Sequence, residues 1–447
     1  MDLLQILLLF AILAPGAMFG FLSILWLAGI VPVERLIGRL TGVTFGASLL
    51  ALAPVVWKVA AGGFPVAIAF GNWFTVEDYH FPLVLLADRL SLPFLALTVI
   101  LSGLIGQFSA TYLHRERGFL RFFVLLHLFA FGSLLAFSAG SFDLLAAGWE
   151  MVGITSVLLI AFFQQRTAPV ENAVRVFGIY RACDIGLLVG IFAMHHWAGT
   201  ASFDQGLPIL TANQSAIVSL LLLMAAAGKA AQIPFSGWLP RAMEGPTPSS
   251  AVFYGAISIH AGAYLLLRVQ PMLSHSTLAT GLVIVIGMLT AIHGTMVGRA
   301  SADAKTSLAY ASLTQVGVIF VEIGLGWNGL AVAHILGHAM VRTLQFLRAP
   351  SMLHDYHQMH SAVGGEFAPT GRHLDEMIPE SAQLWLYRWS LDRGHLDTVL
   401  DRWIIGPLLR LSSLFARLDR LGLETAENPR EEAMLPLQQI ARQRGVG

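Results

Sequence analysis

Charge is scarce in this chain. Of 447 residues only 12% are Asp, Glu, Lys or Arg, and the formal net charge is zero. So sparse and balanced a charge excludes nucleic acid as a partner, since phosphate binding needs a surplus of basic side chains. With 56% hydrophobic residues and a mean hydropathy of +0.69, a soluble domain is excluded too; the class is a polytopic membrane protein. Cysteine is nearly absent. Cys183 stands alone within an apolar run, which excludes a disulfide framework and any Cys-based zinc or iron–sulfur site contributed by this chain alone. There is no P-loop, no glycine-rich dinucleotide fingerprint after a strand, and no haem or quinone motif. Lysine is the rarest basic residue: Lys58, Lys229 and Lys305, against 24 arginines.

What the chain does have is long apolar runs. A span needs about 20 such residues. Runs near 3–30, 36–57, 84–109, 119–139, 142–164, 173–197, 213–232, 247–268, 277–297, 306–325 and 329–348 qualify. They predict an all-α polytopic membrane protein of about 11–13 transmembrane helices, with residues 1–348 as one bundle and 349–447 as a cytoplasmic or interfacial amphipathic tail. The first run is too long for a signal sequence and lacks a basic start, so it reads as a retained helix.

Basic residues fall on alternate loops. Arg35, Arg39, Arg115, Arg117, Arg121, Arg166, Arg175, Arg241, Arg299 and Lys305 lie on one side, against little beyond Lys58 and Arg268 on the other. The positive-inside rule then puts the N-terminus outside and the tail inside. The last 99 residues carry ten Arg and thirteen Asp or Glu, a soluble balance. Trp385, Trp389 and Trp403 sit there among charges, suiting an interface or a docking partner. Asp397, Asp401, Arg402 and Arg410 make 396–416 a poor twelfth span.

The exceptions inside the runs carry the chemistry. Lys229 closes the seventh run, in "AAAGKAAQIPFSGWLPRAMEGPTP", five residues before Pro234. An ion at membrane depth costs at least about 2.5–3.5 kcal/mol, so it needs a partner or a wet cavity. Lysine can give up its proton there, whereas arginine cannot. Glu150 and Asp184 are the candidate partners, with Arg181 one turn before Asp184 on the same face. Glu150 beside Lys229 holds both charged, and its withdrawal releases a proton. The plain alternative is a static pair that only fixes packing. Pro234 tips the balance, because it breaks the helix and frees carbonyls near Lys229. Broken helices with a charge at the break mark ion sites in transporters.

The last run offers a second cluster. His334, His338 and Arg342 follow at i, i+4 and i+8, on one helical face. Two neutral imidazoles beside a cation can pass a proton along the helix; packing histidines are the plain reading. A metal pair lacks a carboxylate or cysteine to complete it. His127, His260 and His293 stand singly and read as packing, Glu322 as unpaired, and His195–His196 as peripheral.

The stretches "GWEMVGITSVLLIAFF", "GKAAQIPFSGWLPRAMEGPTPSSA", "DAKTSLAYASLTQVG" and "HILGHAMVRTLQFL", in order over about 85–350, resemble the antiporter-like subunits of respiratory complex I and Mrp-type antiporters. The resemblance implies inverted five-helix repeats with broken helices, and a half-channel in which Glu150 pairs with Lys229. It makes Glu150, Lys229, His334 and His338 the ion-translocating positions. Arg181, Asp184, Arg342, His260, Asp303 and Lys305 take pairing or modulating roles. Arg342 stands where the long complex I subunit usually has lysine, and Tyr254 where it has histidine. The second repeat is truncated: polar sequence begins at Ala349, where another broken helix and a lateral helix are expected. "LDTVLDRWIIGPL" looks like the linker segment of that long subunit.

On "QQRTAPVENAVRVFGIYRACD", "FYGAISIHAGAYLLLR" and "VRTLQFLRAPSMLHD" the chain is most similar to the membrane subunit of DAB-type inorganic-carbon complexes. That resemblance implies a bacterial inner-membrane protein with a periplasmic N-terminus. Its cytoplasmic partner is carbonic-anhydrase-like and carries the zinc, with no cofactor in this chain. Proton or sodium flow drives CO2 to bicarbonate. The alternatives are a proton-pumping subunit of a complex I-like NADH–quinone oxidoreductase or Mrp-type antiporter, and a scaffold with a vestigial channel.

Overall fold

Apolar sequence must satisfy its own backbone in a bilayer, and here it does so mainly as helix. The computed structural model describes residues 1–76, 79–301, 303–363 and 379–419. Among them, eleven helices are long and apolar enough to cross a membrane. They are α1 (Leu3–Leu27), α2 (Glu34–Ala60), α3 (Ser91–Tyr112), α4 (Phe119–Phe137), α5 (Phe142–Ile160), α6 (Thr167–Ala198), α7 (Ala212–Lys229), α8 (Thr247–Arg268), α9 (Thr277–Ala300), α10 (Ala304–Gly324) and α11 (Asn328–Val363). Local chemistry starts several of them. Asp2 and Thr211 form capping boxes, and the side chains of Ser141, Ser276 and Asp303 accept N–H bonds from the first turns of α5, α9 and α10. The core runs along α8, whose apolar window is wholly buried, against 28% for α1 and 33% for α9.

The third run differs from expectation. Instead of a helix from 84, β1 (Val66–Val76) and β2 (Tyr79–Ala87) form an antiparallel hairpin, and α3 begins only at Ser91. The stretch is rich in Val, Ile, Phe, Tyr and Trp, which favour strands. Asp88 then ends it, its Oδ1 accepting from the amides of Leu90 (3.0 Å) and Ser91 (2.7 Å). The hairpin ties one end of the bundle together. Leu86 N donates to Ser138 O (2.6 Å), Gly140 N to Val84 O (2.8 Å) and Gln5 Nε2 to Ala67 O (2.8 Å). At this hairpin end Arg268 grips Asp88 through both guanidinium branches, at 2.5 and 3.2 Å. Burial pushes the Asp88 carboxyl up, but Arg268 and the Ser91 amide outweigh it and hold the group below the ordinary carboxylate range.

The eleventh helix does not stop where the composition changes. α11 runs through Ala349 without a break, so the change in composition there is no change in secondary structure. Beyond it, α12 (Glu380–Leu391) sets Trp389 edge-on against His293 of α9, ring centroids 5.6 Å apart. Asp397 accepts from Arg241 (2.7 Å) and Arg393 (3.3 Å). Thr398–Gly447 form a separate unit, helical or π-helical from 401 to 419. The remainder of the expected tail, 364–378 and 420–447, lies outside the described residues.

Candidate functional site

The seventh helix stops at its lysine. After Lys229, Gln232 N bonds back to Ala227 O (2.8 Å), Ala231 takes a left-handed φ of 53°, and short turns lead on to α8. Pro234 has no N–H with which to resume the ladder. The carbonyls exposed by the break are not left for water. Gly228 O accepts from Trp238 Nε1 and Ala230 O from Gln232 Nε2, both at 2.9 Å.

Lys229 is 1% exposed and lies against the middle of α5. Its Nζ donates to Trp149 O (3.1 Å) and sits over the Trp149 and Tyr180 rings, 4.8 and 4.6 Å from their centroids. Such cation–π contacts reach about 2 kcal/mol when desolvated, which offsets part of the cost of burying an ammonium. Gly153 leaves the space, since a Cβ there would stand 3.1 Å from Nζ.

Glu150 is not the lysine's partner. It pairs with Arg181 Nη2, which also reaches Asp184 Oδ2 at 2.8 Å. Asp184 takes a further bond from Trp149 Nε1 (2.6 Å). Among the described residues Lys229 makes no ion pair. The expected Glu150–Lys229 contact is therefore corrected. One guanidinium nitrogen of Arg181, Nη2, carries both bonds, one N–H to each carboxylate. Two carboxylates and two cations share the α5–α7 seam, so the cluster is neutral as a whole.

The second cluster consists of two linkages, one around His334 and one around His338. His334 contacts Glu322 Oε1 through Nδ1 (2.9 Å) and Gln315 Oε1 through Nε2 (3.0 Å). His338 Nδ1 faces His260 Nε2 at 2.9 Å, and His260 Nδ1 donates to Ala256 O at 2.5 Å. Two readings change. His260 is hydrogen-bonded to His338 rather than merely packed, and Glu322 is paired with His334 and 8% exposed. The backbone explains the first. Ala251–Ala256 form a π-helical turn within α8, which re-aims the residues after it. The straight relay along α11 is corrected as well. His334 and His338 stand 6.4 Å apart between ring centroids; His334 spends both nitrogens on α10, and among the described residues His338 bonds only through Nδ1, to α8. Arg342 donates to Gln345 (2.7 Å) and, among the described residues, bonds neither histidine.

Other candidates fall elsewhere. Asp303 caps α10 through Thr306 N (2.7 Å), and Lys305 sits in the same first turn. His127 bonds Thr41 (3.1 Å) and stacks on Phe45, the packing role expected. His195 is 5% exposed and pairs with Asp143 at 3.0 Å, so it is less peripheral than its place in sequence suggests. Sequence reasoning passed over Trp149, Tyr180 and Gln315. The first two adjoin Glu150 and Arg181, but aromatic neighbours of ions are too common to signal a site.

Comparison with known proteins follows this geometry. The family profile described as NADH:quinone oxidoreductase/Mrp antiporter, TM, matches residues 139–366, half of the chain and both clusters. The chain belongs to this antiporter-like membrane family. A second profile, complex I chain 5 N-terminus, matches 73–123. NADH-ubiquinone oxidoreductase chain 5 of Rhizopus stolonifer is 34% identical over 310 residues, covering 69% of this chain and 47% of that relative. The chain thus spans about half the length of the curated relatives it matches. The Mrp complex from Dietzia sp. DQ12-45-1b matches at a TM-score of 0.65 and 28% identity, over 75% of this chain and 37% of that one. The membrane-bound sulfane sulfur reductase, an archaeal respiratory membrane complex, shares the antiporter-like fold at a TM-score of 0.67 and 21% identity, over 77% and 70%.

Proposed function

We propose that this chain is the proton-translocating subunit of a multi-subunit membrane complex of the complex I/Mrp kind. Lys229 carries the reading: a buried lysine at a helix break, near two carboxylates that Arg181 holds away from it. Transfer of Glu150 between Arg181 and Lys229 switches the lysine between holding and releasing a proton. The His260–His338 contact offers a second station: His338 Nδ1 donates to His260 Nε2, and His338 Nε2, without a partner among the described residues, can take up a proton. From Lys229 the rings of Tyr180, Trp238 and Tyr254 follow one another, with centroids 5.1 and 5.6 Å apart, into the π turn that precedes His260.

A multi-subunit setting is supported by the Glu150–Arg181 pair. Its side chains are 37% and 34% exposed at the level of exposed Ile154 and Ile185. Ions at that depth call for cover by protein or a wet cavity rather than lipid. Purification of the intact complex, identification of its subunits by mass spectrometry, and proton uptake in proteoliposomes test the proposal. Co-purifying redox or Mrp-type subunits and a protonophore-sensitive pH change are expected; a complex that moves no protons refutes it.

A second reading keeps the inorganic-carbon complex: a bacterial inner-membrane setting, N-terminus outside, 349–447 on the cytoplasmic side, and proton or sodium flow driving a carbonic-anhydrase-like zinc partner. What favours it is Arg342, buried and bonded to Gln345 where the long complex I subunit usually carries lysine, together with Tyr254. The respiratory and Mrp relatives rank it second. Recovery of one large zinc protein as sole partner would reverse the order.

A further inference from the structure

We propose a binding site for one acidic phospholipid where α2 ends and α3 begins, with its phosphate on Arg89 and an acyl chain in the slot below. Two adjoining hollows lie there. The upper, about 510 Å³, is lined by Gly62, Gly63, Pro65, Asp88 and Arg89 among others. The lower, about 210 Å³, is walled by Val56, Val59 and Ala60 from α2 and by Leu92, Pro93 and Ala96 from α3. Val59 and Arg89 line both, so a bowl with the charged side chains Asp88 and Arg89 on its wall opens onto an apolar slot. The slot exists because Ala60 and Ala96 are small where the two helices would otherwise close.

Charge selects the occupant. Arg89 is exposed and enters no hydrogen bond or ion pair among the described residues. The nearest acid does not serve it. Asp88 is gripped by Arg268 and by the amides of Leu90 and Ser91. Lys58, exposed in the last turn of α2, adds a second cation, so the rim is positive. The bowl stays open because Gly62, at φ 89°, has nothing within 4 Å of a built Cβ. At Gly63 a Cβ would come within 2.6 Å of Lys58 O, so that turn is closed to other residues.

Depth selects a lipid over a free anion. Trp57 is 77% and Phe64 88% exposed beside the rim, the place aromatic side chains take at headgroup level. Below them the slot offers, apart from Arg89, only hydrocarbon, which a free phosphate cannot use. Asp88 and Arg268 already neutralise each other, so the headgroup meets Arg89 and Lys58 without a competing acid.

The test uses the full chain, in its complex, in nanodiscs of phosphatidylcholine doped with phosphatidylglycerol, followed by lipid extraction and native mass spectrometry. The wild type is expected to retain one phosphatidylglycerol per chain. Arg89→Gln should lower its enrichment about fivefold, the effect of one basic side chain near a membrane surface. Ala96→Trp should fill the slot and expel lipid of either class. Excess inorganic phosphate should displace nothing. Unchanged lipid content and class in Arg89→Gln, a folded surface variant, overturns the proposal. Release by inorganic phosphate overturns it in favour of a free-anion site.

Discussion

The two polar clusters of this bundle solve the same problem by opposite means. On α5–α7 the groups are ions: Arg181 bridges Glu150 and Asp184, and Lys229 rests on two aromatic rings. On α8, α10 and α11 the links run through imidazoles, a glutamate and an amide, each bonded to a different helix. Ions at low dielectric hold one another strongly, and a shift of one alters all. Imidazoles hold weakly and can exchange which nitrogen carries the proton. The first arrangement suits a switch; the second suits a wire.

The largest effect should come from the switch. Lys229→Met removes the cluster's cation that can give up its proton, and uptake in proteoliposomes should fall by about 100-fold or more. The complex should still assemble, because methionine fills the space without a buried charge. More than half of wild-type uptake would erase the distinction between the clusters.

Arg181→Gln comes next. It frees Glu150 for Lys229 and strips Asp184 of one bond, leaving Trp149 Nε1. Uptake should drop about tenfold and the fold lose about 1–3 kcal/mol, read by thermal unfolding in detergent. Stability unchanged alongside full transport would mean that the bridge is incidental.

The wire is expected to be softer. His260→Phe and His338→Phe should each lower uptake about fivefold, and the double variant no more than either alone, because neighbours that share one step are not additive. Fully additive losses would show two independent roles.

The smallest effect on transport should follow Asp88→Asn, remote from both clusters. Transport is expected to persist while stability falls by about 1–3 kcal/mol. The Asp88 carboxyl is held below its ordinary range, so its contribution is fully present at neutral pH and is lost as the medium turns acid through the folded-state value. The variant should therefore flatten the acid limb of the stability curve. An unaltered limb would show that Arg268 holds nothing.

Much of this was legible in order of residues. The eleven spans, the break after Lys229, and the shared face of Arg181 and Asp184 follow from run length, proline and the 3.6-residue period. The hairpin at 66–87 was missed because apolar strands and apolar helices look alike over short runs. The pairings were missed for another reason. Glu150 lies 31 residues from Arg181 and 79 from Lys229, and His260 lies 78 from His338, and no local rule says which of several distant ions will meet.

Composition and periodicity alone determined that this chain is a membrane bundle, where its helices run, and which few polar side chains must be accounted for inside it. Those are one-dimensional facts, since each depends on residues within a turn or a span of one another. Only the tertiary structure decided that Arg181 takes Glu150, that Lys229 rests on Trp149 and Tyr180, and that a π turn brings His260 to His338. Such choices belong to the packing of whole helices, where a rotation of one face changes every partner at once.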